Sequence, residues 1–437
     1  MTLKRNILFA FLLIIKIIAL VLFHKGNLKS ICSVNPDEML IAEVAINYHK
    51  GLGYVSSQEI SNKHKYNKTA LRPSYPIFIH IALMGIYQRI YPNDILNLST
   101  QHTYFIAYGL LIQTISFIVY ACSLYAFYQI ASVYFKENKN WVIAATIFYG
   151  VYPSVLLYVG ALTNYENIAL PLVVIVFYFF LKSLEKTLSF ADMTIITLSV
   201  IIATCVRPQT LPIFACMIVF VLLQSLLTKR YFLNKLAISV IVCVCLVMVN
   251  IPVFLKNKNL FGEYFLSTQA GFSFFEGHNP FARGSWCGDC GINPQRPVYQ
   301  YVRDEIKNFN QLNEFERSNA LRNLAWQWIK SNPFEEIKLT LRKIAIYFLP
   351  YNSDNNYFNI FNFTAHVGFF LFLVLLLFRK QALSYENVFV LMPMLGSLIV
   401  SIIFFVGYRW RYYAEPFIIL TCFLFLKEIF KKKYANP

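Results

Sequence analysis

Two adjacent carboxylates, Asp37 and Glu38, follow Pro36 and precede residues 39–45, which are apolar at helical spacing. A proline with acids behind it marks the first turn of a helix, whose positive end favours carboxylates. Held near a membrane surface, the same pair can instead take a proton from a hydroxyl or bind a cation. Gly51-Leu52-Gly53-Tyr54 then marks a turn, and Arg72 stands in Leu71-Arg72-Pro73-Ser74-Tyr75-Pro76, just ahead of an apolar piece. An arginine there suits a phosphate, which its planar fork meets through two hydrogen bonds. Snorkelling to lipid headgroups accounts for it equally well.

More charge stands at the ends of long apolar runs. Glu166 follows Thr163-Asn164-Tyr165, Arg207 precedes Pro208, and Arg409 and Arg411 bracket Trp410. Charges in such places are costly unless they face a cavity or a partner, so functional use is the default reading. Lipid headgroups compete as partners for Arg409 and Arg411. A later polar stretch holds Gly277-His278-Asn279-Pro280 and Trp286-Cys287-Gly288-Asp289-Cys290-Gly291. A lone Cys-x-x-Cys lacks the second pair of a zinc site. Cys287 and Cys290 are therefore expected to close a small disulfide loop outside the cytoplasm.

What positions these residues is a membrane. Only 14% of the 437 residues are charged, against about a quarter in soluble domains. Ten apolar runs, at about 6–23, 103–134, 141–158, 166–182, 191–206, 209–227, 235–254, 359–378, 386–406 and 412–427, are near the length that crosses about 30 Å of hydrocarbon. The pattern predicts an all-α polytopic membrane protein. The first run, behind Lys4 and Arg5, lacks a small-residue cleavage site and reads as a retained signal anchor. The net charge of +17 does not point to nucleic acid, because the basic residues cluster at every second helix end: Lys4/Arg5, Lys136/Lys139, Lys182/Lys186, Lys229/Arg230, Arg379/Lys380 and 431–433. That bias places both termini in the cytoplasm of a plasma-membrane protein. Two polar stretches, 24–101 (loop one) and 255–358 (loop two), then fall outside, with apolar pieces at 76–90 and 337–349 reading as interfacial helices. The expected division is 1–254 with loop one and its acids, 255–358 with the cysteine pair, and 359–437 with the last spans.

Pro36-Asp37-Glu38, the Gly51–Tyr54 turn and Arg72-Pro73-Ser74-Tyr75-Pro76, in that order after span one, resemble loop one of membrane glycosyltransferases of the C-type fold. The nearest likeness is to the protein O-mannosyltransferase and lipid-A aminoarabinose transferase superfamily. Tyr152-Pro153-Ser154, Glu166, Arg207-Pro208, Gly277–Pro280 and Arg409–Tyr412 carry the resemblance along the chain, although Asn164-Tyr165 before Glu166 departs from the Thr-Glu of relatives. The resemblance implies a C-type fold and an extracytoplasmic site. It implies transfer of a sugar from a polyprenyl-phosphate donor in the membrane to a lipid, glycan or protein acceptor, by direct displacement with inversion. It assigns Asp37 as base, with Glu38 beside it, and Arg72, Arg207, Arg409 and Arg411 to the donor phosphate. Glu166 and His278 would orient the acceptor or a metal, and Asp37 with Glu166 would hold a divalent metal cation if one is used. The competing class is a transporter or flippase of lipid-linked sugars. That class favours broken spans with midplane charge and related halves, whereas here charge gathers at span ends and the halves look unrelated.

Overall fold

Inside a bilayer a polar backbone must close its hydrogen bonds on itself, and apolar runs of this length do so as helices. The computed structural model describes residues 2–23, 36–56, 67–71, 74–90, 102–136, 138–153, 155, 165–285, 297–349, 351–352, 357–358, 360–378 and 384–435. For Asp37, Glu38 and Arg409 it describes the backbone alone, and Arg72, Cys287 and Cys290 lie outside the described residues. In chain order the helices are α1 (Thr2–Phe23), α2 (Pro36–His49), α3 (Ser74–Ile90), α4 (His102–Tyr134), α5 (Lys139–Val151), α6 (Glu166–Glu185), α7 (Phe190–Val206), α8 (Leu211–Thr228) and α9 (Phe232–Phe261). There follow α10 (Gln269–Gly277), α11 (Pro297–Glu305), α12 (Glu314–Ser331), α13 (Pro333–Tyr347), α14 (Ile360–Phe378), α15 (Tyr385–Phe389), α16 (Met392–Ile403), α17 (Tyr408–Arg411) and α18 (Glu415–Ala435). Loop one also holds a short antiparallel pair, β1 (Val55–Ser56) with β2 (Asn67–Lys68).

Every apolar run contains a helix. Among the described residues six are long and apolar enough to cross a membrane, and Phe190–Val206 and Asn362–Phe378 are shorter apolar helices. Two boundaries differ from expectation. In the run at 141–158 the helix from Lys139 ends at Val151, because the residue before Pro153 avoids helical backbone and Tyr152 is extended, with φ −61° and ψ 126°, and Pro153 and Val155 are helical again beyond that break. Helix α9 runs through Pro252 and past 254 to Phe261, carrying Lys256 and Asn257 beyond the apolar stretch.

Helix α6 is the axis of the bundle, buried along most of its length, whereas α1 is largely exposed. It packs on α4, α7 and α8, while α16 lies along α8 and α18 along α14. Small residues permit the closest approaches, as is usual between membrane helices. At Gly396 an added Cβ would come 2.4 Å from the Ile213 Cα. Lysines gather at one end of this bundle. Lys182 pairs with Asp192 at 2.8 Å, Lys136 with Glu185 at 3.4 Å, Lys235 donates to Gln224 at 2.7 Å and Lys427 to the Tyr134 carbonyl at 2.8 Å. Loops one and two meet at the opposite helix ends.

Loop two has a small core of its own, with Phe275 of α10, Val302 of α11 and Leu321 and Leu324 of α12, and Leu71 from loop one packs against it. Helix α13 carries apolar side chains on two faces. Leu339, Lys343 and Tyr347 face inward, while Phe334, Ile337 and Leu341 are 78%, 56% and 61% exposed on the other side. An apolar face turned outward beside Lys338 and Arg342 fits the acyl–headgroup boundary. A photoreactive benzophenone amino acid in place of Ile337, in protein reconstituted into vesicles, is expected to crosslink to lipid. Crosslinks to a second copy, or none, would contradict that placement.

Candidate functional site

The charged residues at the loop end of the bundle are brought together by helix termini. Helix α6 starts at Glu166, where its positive end favours a carboxylate. Pro208 forces Arg207 out of helical backbone (φ −143°, ψ 90°), so α7 ends there and a single 3-10 turn leads into α8. The two ends meet: Arg207 Nη2 donates to Glu166 Oε2 at 2.6 Å, with the side chains 15% and 5% exposed. Both residues were candidates from the sequence, one for a phosphate and one for an acceptor or metal. In the structure each has the other as a partner.

A row of buried polar rings leads from loop one to this pair. His80 of α3 stacks on Tyr108 at 4.1 Å between centroids, and its Nδ1 lies 2.9 Å from the Tyr104 hydroxyl. The Tyr108 and Tyr165 hydroxyls share a short hydrogen bond, and Tyr165 directly precedes Glu166. Burial pushes the His80 imidazole down to about 3, so it is neutral at working pH. Sequence reasoning missed this row. Its only local signal is Tyr104 and Tyr108 one helical turn apart, and in a chain with 29 tyrosines that singles out nothing.

His278 is part of a clamp. Its Nδ1 is 3.0 Å from Glu336 Oε1, and its Nε2 is 2.8 Å from the Ile403 carbonyl and 3.2 Å from Lys343 Nζ. Lys343 also donates to the Ile402 carbonyl at 2.9 Å, so both side chains cover the C-terminal carbonyls of α16. Burial lowers the Lys343 ammonium to about 8, with Glu336 opposing. Gly277 has to be glycine for this contact, since a Cβ would fall 1.6 Å from the Phe404 carbonyl oxygen. The Val406 amide donates to the Gly284 carbonyl at 2.8 Å, which fixes the turn entering α17. Arg411, at the end of that turn, is buried and donates through Nη1 to the Leu349 carbonyl and, at 3.2 Å, to that of Tyr347. Arg411 therefore caps α13.

In loop one, α2 packs along α3 and carries Asp37 and Glu38 in its first turn, as the proline and spacing predict. Its far end is fixed by Asn47 donating to the Val55 carbonyl at 3.0 Å and His49 Nε2 donating to that of Ile81 at 2.8 Å. Gly51 and Gly53 take left-handed backbone (φ 76° and 84°), the conformation for which the turn needs glycine. Among the described residues no group of three or more His, Cys, Asp or Glu side chains is placed to hold a metal ion.

No protein-family model matches the chain, and no curated protein matches it in sequence. Solved structures match its fold. One is the archaeal oligosaccharyltransferase AglB from Archaeoglobus fulgidus, in complex with an inhibitory peptide and a dolichol-phosphate. It is 12% identical, with a TM-score of 0.52 over 98% of this chain and 51% of that one. The apo form of the Archaeoglobus fulgidus oligosaccharyltransferase gives a TM-score of 0.52 at 12% identity over 97% and 51%. The chain thus spans about half the length of the structures it matches. At this identity the likeness shows the fold, a polytopic all-α membrane fold of the C-type glycosyltransferases.

Proposed function

We propose that the chain is a membrane glycosyltransferase moving a sugar from a polyprenyl-phosphate donor to a hydroxyl acceptor on the extracytoplasmic face, with both termini in the cytoplasm. The observation that carries this reading is the fold, shared over almost the whole chain with an oligosaccharyltransferase bound to a dolichol-phosphate. The ordered motifs of loop one are the ground for placing it nearer the protein O-mannosyltransferase and aminoarabinose transferase type.

The chemistry follows from the leaving group. Phosphate departs readily at neutral pH and needs its charge met more than it needs an acid. The acceptor hydroxyl is the weaker partner and needs a base within hydrogen-bond reach. In this reading Asp37 takes the hydroxyl proton as the acceptor oxygen attacks the anomeric carbon from the side opposite the phosphate. The carbon–oxygen bond to phosphate breaks, its electron pair leaves on the phosphate, and the anomeric configuration inverts. Arg72 and Arg409 are assigned to the phosphate. Arg207 orients Glu166 for the acceptor, and Arg411 and His278 hold the turn whose backbone carries Arg409. Arg207 takes one oxygen of Glu166, and a divalent cation, if one is used, would rest on Asp37, Glu166 and the donor's own phosphate, as magnesium commonly rests on carboxylates and phosphate.

The test is donor consumption by purified protein offered polyprenyl phosphates bearing several sugars, with membrane extract supplying acceptors. Consumption is expected. None with any sugar overturns the reading and favours movement of lipid-linked sugars across the bilayer. Arg72→Ala should raise the apparent donor KM roughly ten- to a hundredfold, the worth of a charged hydrogen-bonded contact. An unchanged KM would remove Arg72 from the phosphate site.

A further inference from the structure

Glu314, the first residue of α12, is buried, and its carboxylate accepts three hydrogen bonds from outside its own helix. Thr69 Oγ1 donates to Oε2 at 2.7 Å, the Ala70 amide to Oε1 at 2.7 Å and Thr268 Oγ1 to Oε1 at 2.6 Å. Two donors come from loop one and one from loop two. Beside them the Thr268 amide donates to the Ala70 carbonyl at 3.2 Å, and the Ser267 hydroxyl reaches the Ala70 and Leu71 carbonyls at 3.1 and 3.0 Å. Ser318, one turn further along α12, donates to the Thr268 carbonyl at 2.6 Å.

Residues 69–71 are therefore stitched to loop two immediately before residues 72 and 73. The chain is fixed again immediately after them. Lys256 Nζ, 3.9 Å from the centre of the Tyr54 ring, donates to Ser74 Oγ at 2.9 Å, and the Tyr75 hydroxyl donates to the Val249 carbonyl. Burial pushes the Glu314 carboxyl up, while the two threonines, the Ala70 amide and Lys256 act against that shift. Three donors facing two oxygens match a carboxylate. Asp37 stands on α2, which is tied to β1 and α3 and meets the clamped segment only indirectly, through the β1–β2 pair and the Thr69 amide, which donates to the Tyr54 carbonyl at 3.2 Å.

We infer that Glu314 is a positioning residue for the lipid-phosphate donor: it clamps the segment leading into Arg72, so that loop two sets donor binding in loop one. This rests on the reading above, in which Arg72 meets the donor phosphate. Because Glu314 holds the residues before Arg72 directly and reaches α2 only through the β1–β2 pair, disturbing it should weaken donor binding more than it slows the chemical step.

The experiment compares Glu314→Gln, Thr69→Val and Thr268→Val with wild-type protein, reading apparent donor KM, kcat and melting midpoint. Glu314→Gln removes the charge and one accepting oxygen, so that the Thr69 hydroxyl must turn to accept from the amide, and a donor KM raised roughly three- to tenfold with a smaller fall in kcat is expected. The two threonine variants each remove one donor, from opposite sides of the carboxylate, and should shift KM the same way by less. They keep the test open if Glu314→Gln does not fold. Active variants with unchanged donor KM overturn the inference and leave the glycosyltransferase reading standing. A fall in kcat that follows the melting midpoint, with KM constant, also overturns it. Wild-type protein that consumes no donor overturns both.

Discussion

Asp37→Asn is expected to lower donor turnover by about 10²–10⁴-fold at saturating donor and acceptor, with the protein folded as before. Asparagine keeps the shape and can still accept a hydrogen bond, but it cannot take the acceptor's proton. The change should be mild for the fold. Asp37 lies in the first turn of α2, where losing a negative charge costs about 0.3–1 kcal/mol of helix stabilisation. A large loss of rate beside a small change in melting midpoint separates a base from a helix-terminal charge. Full turnover with normal expression would leave Asp37 as a residue that only suits the helix end. Glu38→Gln in parallel tells whether its neighbour shares the task.

Arg207→Ala should be the most damaging single change to the fold among the candidate residues. It leaves the Glu166 carboxylate, 5% exposed, without its 2.6 Å partner. Removing one half of a buried pair costs about 3–5 kcal/mol, because the other charge stays buried. The expected result is a marked fall in yield and melting midpoint in detergent. Replacing both partners, with Arg207→Met and Glu166→Leu together, should recover much of that loss, as apolar pairs of similar volume commonly do. Donor turnover then separates two roles. A stable double variant that stays inactive is expected if the pair orients the acceptor. A stable double variant with restored turnover would make the pair a brace and nothing more.

The membrane helices were legible because their signal is local. Length and apolarity mark each run, and α3 and α13 stand within a few residues of the apolar pieces at 76–90 and 337–349. The Gly51 and Gly53 turn and the start of α2 at Pro36 were legible for the same reason, since backbone constraints act on the residue that carries them. Pro153 carried the same kind of signal, and the apolar continuation beyond it masked the break. Pairing was not legible. Glu166 and Arg207 are 41 residues apart, and Glu314 lies 244 and 245 residues from its partners in loop one. A charged residue at a span end announces that something opposite in charge is near, but not whether that is a lipid phosphate, a substrate or another side chain. Arg411 shows the point, because its guanidinium meets backbone carbonyls at the end of α13. Glu314 had no signal at all. It sits in a polar stretch among other acids, and only the fold sets it against Thr69, Ala70 and Thr268.

The distance in sequence between Thr69 and Glu314 also sets an order of events during synthesis. A ribosome adding roughly 5–20 residues per second delivers Glu314 ~12–50 s after Thr69. For that interval loop one lacks the carboxylate that latches it. A chain halted before residue 314 would carry both acids of α2 and the Glu166–Arg207 pair, yet its loop one would still be waiting for its clasp.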